Sequence, residues 1–187
     1  MSNYLIEISY FLLDLLISFI ILIFSLRLLL SFFNASSSNS IVQSIIKISK
    51  PLKSFLFFIP NIKRLETSSF LIIIVAHFIN LYIEGINSGT GTTTLKLIIF
   101  SFQKSIFTLL NTLTIIFIIL AISSWFTKNS RNSSLDIVYQ IANPILVNIR
   151  KIIPTAIGVI DFSVIIVLVL IYFINYFVHI IFSYLFV

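Results

Sequence analysis

The chain has 187 residues and carries 12 Lys and Arg against 6 Asp and Glu, a net charge of +6 with both histidines neutral. Hydrophobic residues make up 59% and charged residues 10%, against roughly 45 to 50% and about 25% in soluble domains, so there is too little polar surface to coat a water-soluble globule. With a mean hydropathy of +1.15, the composition points to a single membrane domain over residues 1–187 and excludes soluble enzymes, disordered tails and coiled coils. The lack of cysteine excludes disulfides, thiolate zinc sites, iron–sulfur clusters and a cysteine nucleophile.

A helix needs roughly 20 mostly apolar residues to cross the bilayer core, and four stretches qualify: about Tyr10 to Phe33, Ser68 to about Ile86, about Ser105 to Phe126, and Phe162 to about Tyr184. The first contains Asp14 and Arg27. Eighteen Leu, Ile and Phe residues between Phe11 and Phe33, each worth about 0.3 to 0.6 kcal/mol, outweigh two ions costing at most about 3 kcal/mol each. No basic residue precedes Arg27 and no small-x-small site follows the run, so an uncleaved first span is expected. The apolar stretch from Leu95 to Phe126 would reach roughly 48 Å as one helix. Lys96, Gln103 and Lys104 therefore mark its start as an interfacial lead-in.

Lys and Arg set the orientation, because short cytoplasmic loops are enriched in them. Lys47, Lys50, Lys53, Lys63, Arg64, Lys128, Arg131, Arg150 and Lys151 lie between spans one and two or three and four, whereas only Lys96 and Lys104 lie on the other side. Both long loops are thus expected in the cytoplasm and both termini outside it. The positive charges sit between hydrophobic runs, which points to anionic lipid headgroups and not to nucleic acid.

The chain also repeats itself. Ile48-Ser49-Lys50-Pro51-Leu52 matches Ile141-Ala142-Asn143-Pro144-Ile145, Ile59-Pro60 matches Ile153-Pro154, and Phe78-Ile79-Asn80 matches Phe173-Ile174-Asn175. Each repeat is span, basic loop, span, so both copies point the same way. The expected fold is an all-α integral membrane protein: four transmembrane helices as two parallel tandem helical-hairpin repeats, with amphipathic interfacial helices in the cytoplasmic loops. Repeat one covers about 10–86, the outer loop and lead-in about 85–104, and repeat two about 105–187. In the second loop, Leu135 to Ala142 follow a helical period, and Asn143-Pro144 can cap and open a new short helix that stops at Pro154. The first loop follows the same plan, broken at Pro51 and Pro60. Asp161, or Thr67 and Ser68 in the first copy, can cap the next span.

Ser124-Trp125, Gln140-Ile141-Ala142-Asn143-Pro144-Ile145-Leu146, Ile149-Arg150-Lys151-Ile152-Ile153-Pro154 and Gly158-Val159-Ile160-Asp161-Phe162-Ser163 occur in order. This series resembles the YggT family of small bacterial membrane proteins, whose repeat carries a tryptophan, an N-P-I or D-P-L step, a basic pair followed by I-I-P, and G-x-I-D-F-S-P. The resemblance is dense in the second half. The first half departs from it, with Phe57-Phe58 in place of the basic pair and Glu66-Thr67-Ser68 in place of glycine and I-D. Val164 stands where the family proline follows Ser163. The resemblance implies an inner-membrane protein without an assigned reaction, associated with osmotic-stress tolerance or with envelope and division processes.

Ionisable groups inside a membrane are costly and so are functional candidates. Arg27 is expected to snorkel or to form an ion pair with Asp161 or Glu66. Asp14, roughly 20 Å away along the helix, is out of its reach and, like Glu84, suits the outer interface. Asn80 and Asn175, at matching positions, are expected to hydrogen-bond between helices or to face a shared polar path. His77 and His179 have no second ligand at metal spacing and are expected to pack. Gly85, Gly89 and Gly91 suit an outer turn. Arg150, Lys151, Pro154 and Asp161 are the expected lipid- or partner-binding residues. No catalytic, metal or cofactor residues are expected, because no nucleophile, base and orienter occur together. Two readings follow. The first is a non-enzymatic scaffold or assembly factor recruiting an unknown membrane, division or envelope protein. The second is a small channel or transporter component, which would need a homo-oligomer to build its pore.

Overall fold

A computed structural model of the protein describes residues 2–89, 93–126, 133–153, 156–157 and 160–184. Six helices follow in chain order among them: α1 (Ser2–Phe32), α2 (Ser40–Ser54), α3 (Thr67–Ser88), α4 (Thr94–Phe126), α5 (Ser133–Ile152) and α6 (Ser163–Tyr184). Four of them, α1, α3, α4 and α6, are long and apolar enough to cross a membrane. α1 packs on α3, α3 on α4, and α4 on α6, with α1 also touching α4. The short helices α2 and α5 sit at the end of this row that carries the basic loops, here called the basic end.

The helix ends follow local chemistry. α1 closes in a Schellman arrangement: Asn34 takes the left-handed conformation at φ 52°, its N–H reaches Ser31 O, and the Ala35 N–H reaches Leu30 O at 2.9 Å. Asparagine tolerates that conformation better than most residues. The Asn39 side chain opens α2 by accepting from the Ile41 N–H at 2.9 Å, which satisfies one orphan donor. Gly89, at φ 68°, ends α3, where a side chain would be strained.

Three local expectations are corrected. The proline steps do not divide the loop helices, since Pro51 lies inside α2 and Pro144 inside α5. An interior proline costs about 3 kcal/mol or more. In α5, however, Ile141, Ala142 and Leu146 are buried on both sides of Pro144, and only an unbroken helix keeps them on one face. The lead-in of the third span is likewise part of α4, which has no glycine or proline from Thr94 to Phe126. Its hydroxyls bond back to their own helix: Ser105 to Ser101 O, Thr108 to Lys104 O and Thr112 to Thr108 O, each at 2.7 to 2.9 Å, so they need no water within the bilayer. Finally, Gly85 lies within α3, and Ala156–Ile157 pairs with Ile160–Asp161 as a two-residue antiparallel ribbon before α6. Gly91, Lys128, Arg131, Pro154 and Gly158 lie outside the described residues, as do the side chains of Trp125 and Asp161.

The main core lies at the basic end. Leu29 and Leu30 of α1, Val42 and Ile45 of α2, Phe117 and Leu120 of α4, Ile137, Val138, Ile141 and Leu146 of α5, and Val167 of α6 form one buried cluster. A second joins α1 and α3 through Ile17, Ile21, Phe24, Leu28, Ile73 and Ala76. α6 exposes Tyr172, Phe173, Tyr176, Phe177 and Ile181, as a helix bathed in lipid can.

Candidate functional site

Arg27 projects from α1 one and a half turns before its end, where α2 and the start of α3 converge on it. Its Nε donates to Glu66 Oε2 at 2.8 Å and its Nη2 to Glu66 Oε1 at 3.2 Å. That two-pronged pairing matches the planar fork of arginine to a carboxylate. Its Nη1 donates to Ser49 Oγ and, at 3.3 Å, to the Ile46 carbonyl. Glu66 also accepts from Lys53 Nζ and from Ser69 Oγ. The side chains of Arg27 and Glu66 are 11% and 7% exposed.

Each member owes its place to its element. Ser49 and Lys53 stand one turn apart on α2, and Glu66 caps α3 one turn before Ser69, so two helix faces each supply a pair. Glu66 sits where the positive end of the α3 dipole favours an anion. Burial pushes its carboxyl up, but the hydrogen bonds from Arg27, Lys53 and Ser69 outweigh this and hold it at about 2. Two cations face one carboxylate, which leaves the cluster with a net positive charge. A cavity of about 200 Å³ adjoins it, with Arg27, Ser31, Ser37 and Glu66 in its wall.

Of the two partners expected for Arg27, the structure selects Glu66. Thr67 and Ser68 do not cap α3; they lie inside it and donate to the loop carbonyls of Pro60 and Leu56. Asn80 donates to Asp14 Oδ1 at 3.0 Å, so Asp14 is a hydrogen-bond partner between spans and not a solitary interface residue. Asn175 makes no such match: its Oδ1 is buried without a partner among the described residues. His77 Nε2 lies 2.9 Å from Thr108 Oγ1. The same hydroxyl also reaches the Lys104 carbonyl at 2.9 Å. Glu84 and Lys104 approach to 3.9 Å at an exposed site, where a pair is worth little.

At the second loop, Arg150 Nη2 donates to Ser163 Oγ at 3.3 Å, on the first residue of α6. Arg150 and Lys151 are both exposed. Lys53, Ser49 and Ser69 were not anticipated from sequence. The available signal was the spacing of Ser49 and Lys53 on α2 and of Glu66 and Ser69 across the start of α3.

These features define a helical multi-pass membrane protein with four spans, closed at its basic end by two packed helices and a buried ion cluster. The family described as CCB3/YggT matches residues 99–182, from within α4 through α5 to near the end of α6. An uncharacterized protein of Haemophilus influenzae is 30% identical over 167 residues, 83% of each chain. The chain belongs to the CCB3/YggT family. No solved structure matches it.

Proposed function

We propose that the protein is a non-catalytic scaffold or assembly factor of the bacterial inner membrane, built of two tandem hairpin repeats and acting in osmotic-stress tolerance or in envelope and division processes. In this reading the basic end faces the cytoplasm, both termini lie outside, and α2 and α5 rest as amphipathic helices in the interface. The observation that carries it is the union of α2 and α5 with the span ends in one core, reinforced by Gln140 Oε1 accepting from the Ser36 N–H at 2.6 Å. Loops that only connected spans would not need a shared core. A platform that must present Lys47, Lys50, Arg150 and Lys151, all exposed, in a fixed pattern to anionic headgroups and a membrane partner would.

The channel reading has less support. Among the described residues, polar groups within the spans are mostly matched in pairs, Asn80 with Asp14 and His77 with Thr108, and a conducting path needs unsatisfied groups facing water. Three experiments test the proposal. The purified protein in liposomes should pass no ions, and sustained flux would overturn the scaffold reading in favour of the channel. In cells, Arg150→Glu with Lys151→Glu should weaken tolerance to high osmolarity while leaving insertion intact. A reporter fused after Val187 should be active only outside the cytoplasm.

A further inference from the structure

α6 ends the row of spans, packing on α4 and on the loop helix α5. Its buried Ser163, Val167 and Ile171 mark the side turned to the bundle. Ile165, Val169, Tyr172, Tyr176 and His179 are all exposed. Their spacing alternates four and three residues, and at about 100° of turn per residue this puts them on one narrow stripe facing away from α4. The stripe becomes polar at depth. Ser163 accepts from Arg150 at the basic end, and Tyr172 stands nine residues further on, about 14 Å along the helix. That is near the middle of a hydrocarbon core about 30 Å thick. Tyr176 is one turn beyond. The two side chains are 70% and 56% exposed, and neither hydroxyl meets a hydrogen-bond partner among the described residues. Thr112 and Ser183 return their hydroxyls to carbonyls of their own helices, but a tyrosine ring holds its hydroxyl too far from the backbone for that. Tyrosine rings suit lipid. Their hydroxyls do not, which is why tyrosine favours the interface, where water is in reach. A polar group bare in hydrocarbon is costly, and its partner must come from another helix.

The chemistry of the stripe says which helix. A hydroxyl both donates and accepts, and so does a neutral imidazole, so each polar group on it can pair with a copy of itself. Copies of one chain insert in the same direction, and a twofold axis along the membrane normal then sets each residue of the stripe opposite its own counterpart at the same depth. The alternation of four and three residues is the one that a parallel helix pair uses. α6 carries no Asp, Glu, Lys or Arg, so two copies approach without repulsion. A lipid tail offers neither tyrosine an acceptor. We propose that α6 is a homodimer interface, in which two copies of the chain meet along Ile165, Val169, Tyr172, Tyr176 and His179 and facing tyrosine hydroxyls hydrogen-bond within the bilayer. The isoleucine and valine supply close packing toward the basic end, and the tyrosines fix which face is used. The inference requires only that α6 crosses a bilayer, and it stands whether the protein is a scaffold or a channel.

The chain has no cysteine, so single cysteines in the full-length protein, oxidised in native membranes, report the contact directly. A disulfide forms only where two Cα atoms come within about 7 Å. Ile165→Cys and Val169→Cys should each give a linked dimer, whereas Leu170→Cys, also exposed but turned about 100° away, should give about tenfold less. A second measurement reads the tyrosines. In vesicles of phosphatidylglycerol and phosphatidylethanolamine, photobleaching steps of one fluorophore per chain give the dimer fraction against dilution. Tyr172→Phe with Tyr176→Phe removes only the two hydroxyls and should weaken the dimer about tenfold, from about threefold for each lost bond. Tyr82→Phe, exposed on α3, should leave it unchanged. Equal linkage at positions 169 and 170 would overturn the proposal, as would a wild type that stays monomeric at high density in the bilayer or a double Phe variant that dimerises as tightly as the wild type. Linkage of Val169→Cys to a different membrane protein in place of its own copy would also overturn it, by assigning the stripe to another partner.

Discussion

Glu66→Gln is the sharpest perturbation of the ion cluster. It keeps the shape of the side chain and removes the charge that Arg27 and Lys53 share. A carboxyl held at about 2 against an ordinary 4.5 corresponds to about 3 kcal/mol, at 1.36 kcal/mol per pH unit. Breaking a buried pair by deleting one partner costs about 3 to 5 kcal/mol, because the other charge is left uncompensated. Lys53 is a quarter exposed and can extend to water, so the lower end, about 3 kcal/mol, is expected. Reversible unfolding in mixed micelles of increasing sodium dodecyl sulfate measures it. The pH dependence gives a second signature. The folded value is depressed, so the stabilisation is fully present above the unfolded value near 4.5 and is lost as pH falls toward 2. The gap between wild type and Glu66→Gln should stay constant from neutral pH to about 5, then narrow progressively from about 4.5 and close toward about 2. Replacing Arg27 and Glu66 together with Leu should recover most of the loss, since an apolar pair can substitute for a buried ionic one. A cost under about 1 kcal/mol at pH 7, or a gap as large at pH 2 as at pH 7, would refute the electrostatic account.

The other expectations use the same unfolding assay. Asn80→Leu should cost about 1 kcal/mol by removing the bond to Asp14, whereas Asn175→Leu should be neutral or stabilising, because the carbonyl it removes is buried without a donor. Thr108→Val should cost about 1 to 3 kcal/mol, since the His77 ring nitrogen loses its hydrogen-bond partner in a buried site, and Thr108→Ser should restore it. Pro144→Ala should raise stability by about 1 kcal/mol, the gained helical bond to Gln140 O exceeding the lost stiffness of the unfolded chain, and the new amide at 144 should be protected from hydrogen exchange.

The four spans were legible because a bilayer imposes a single length and polarity rule on any helix that crosses it. Arg27 stood out for the same reason: a charge within eighteen apolar side chains must answer to something. Its partner was ambiguous in sequence, as Glu66 and Asp161 both precede a span, and only the packing of α1 on α3 brings Glu66 within reach. Pro51 and Pro144 misled because local rules for proline count the lost hydrogen bond but not the apolar face that continues past it. Asp14 and Asn80 looked like separate residues, 66 positions apart, until the antiparallel pairing of α1 and α3 set them at one depth. Lys53, Ser49 and Ser69 are ordinary loop-helix and helix-start residues whose role exists only once three elements meet.

The two loops use one device at different strength. At each, a cation near the C-terminal end of the loop helix, where the dipole favours it, reaches the start of the following span: Lys53 to Glu66 before α3, and Arg150 to Ser163 on α6. A helix joined to the next span at that point cannot swing away from the bundle, which is what a platform in the interface requires. In the first loop the joint is charged and Arg27 ties α1 into it as well, whereas Leu120 of α4 packs in the main core. The first loop is thereby held by the ion cluster in addition to Val42 and Ile45 in the main core, and the second by apolar contact through Ile137, Ile141 and Leu146. Acid strong enough to protonate Glu66, toward pH 2, should therefore loosen α2 before α5, because burial of apolar surface carries no charge for protons to neutralise.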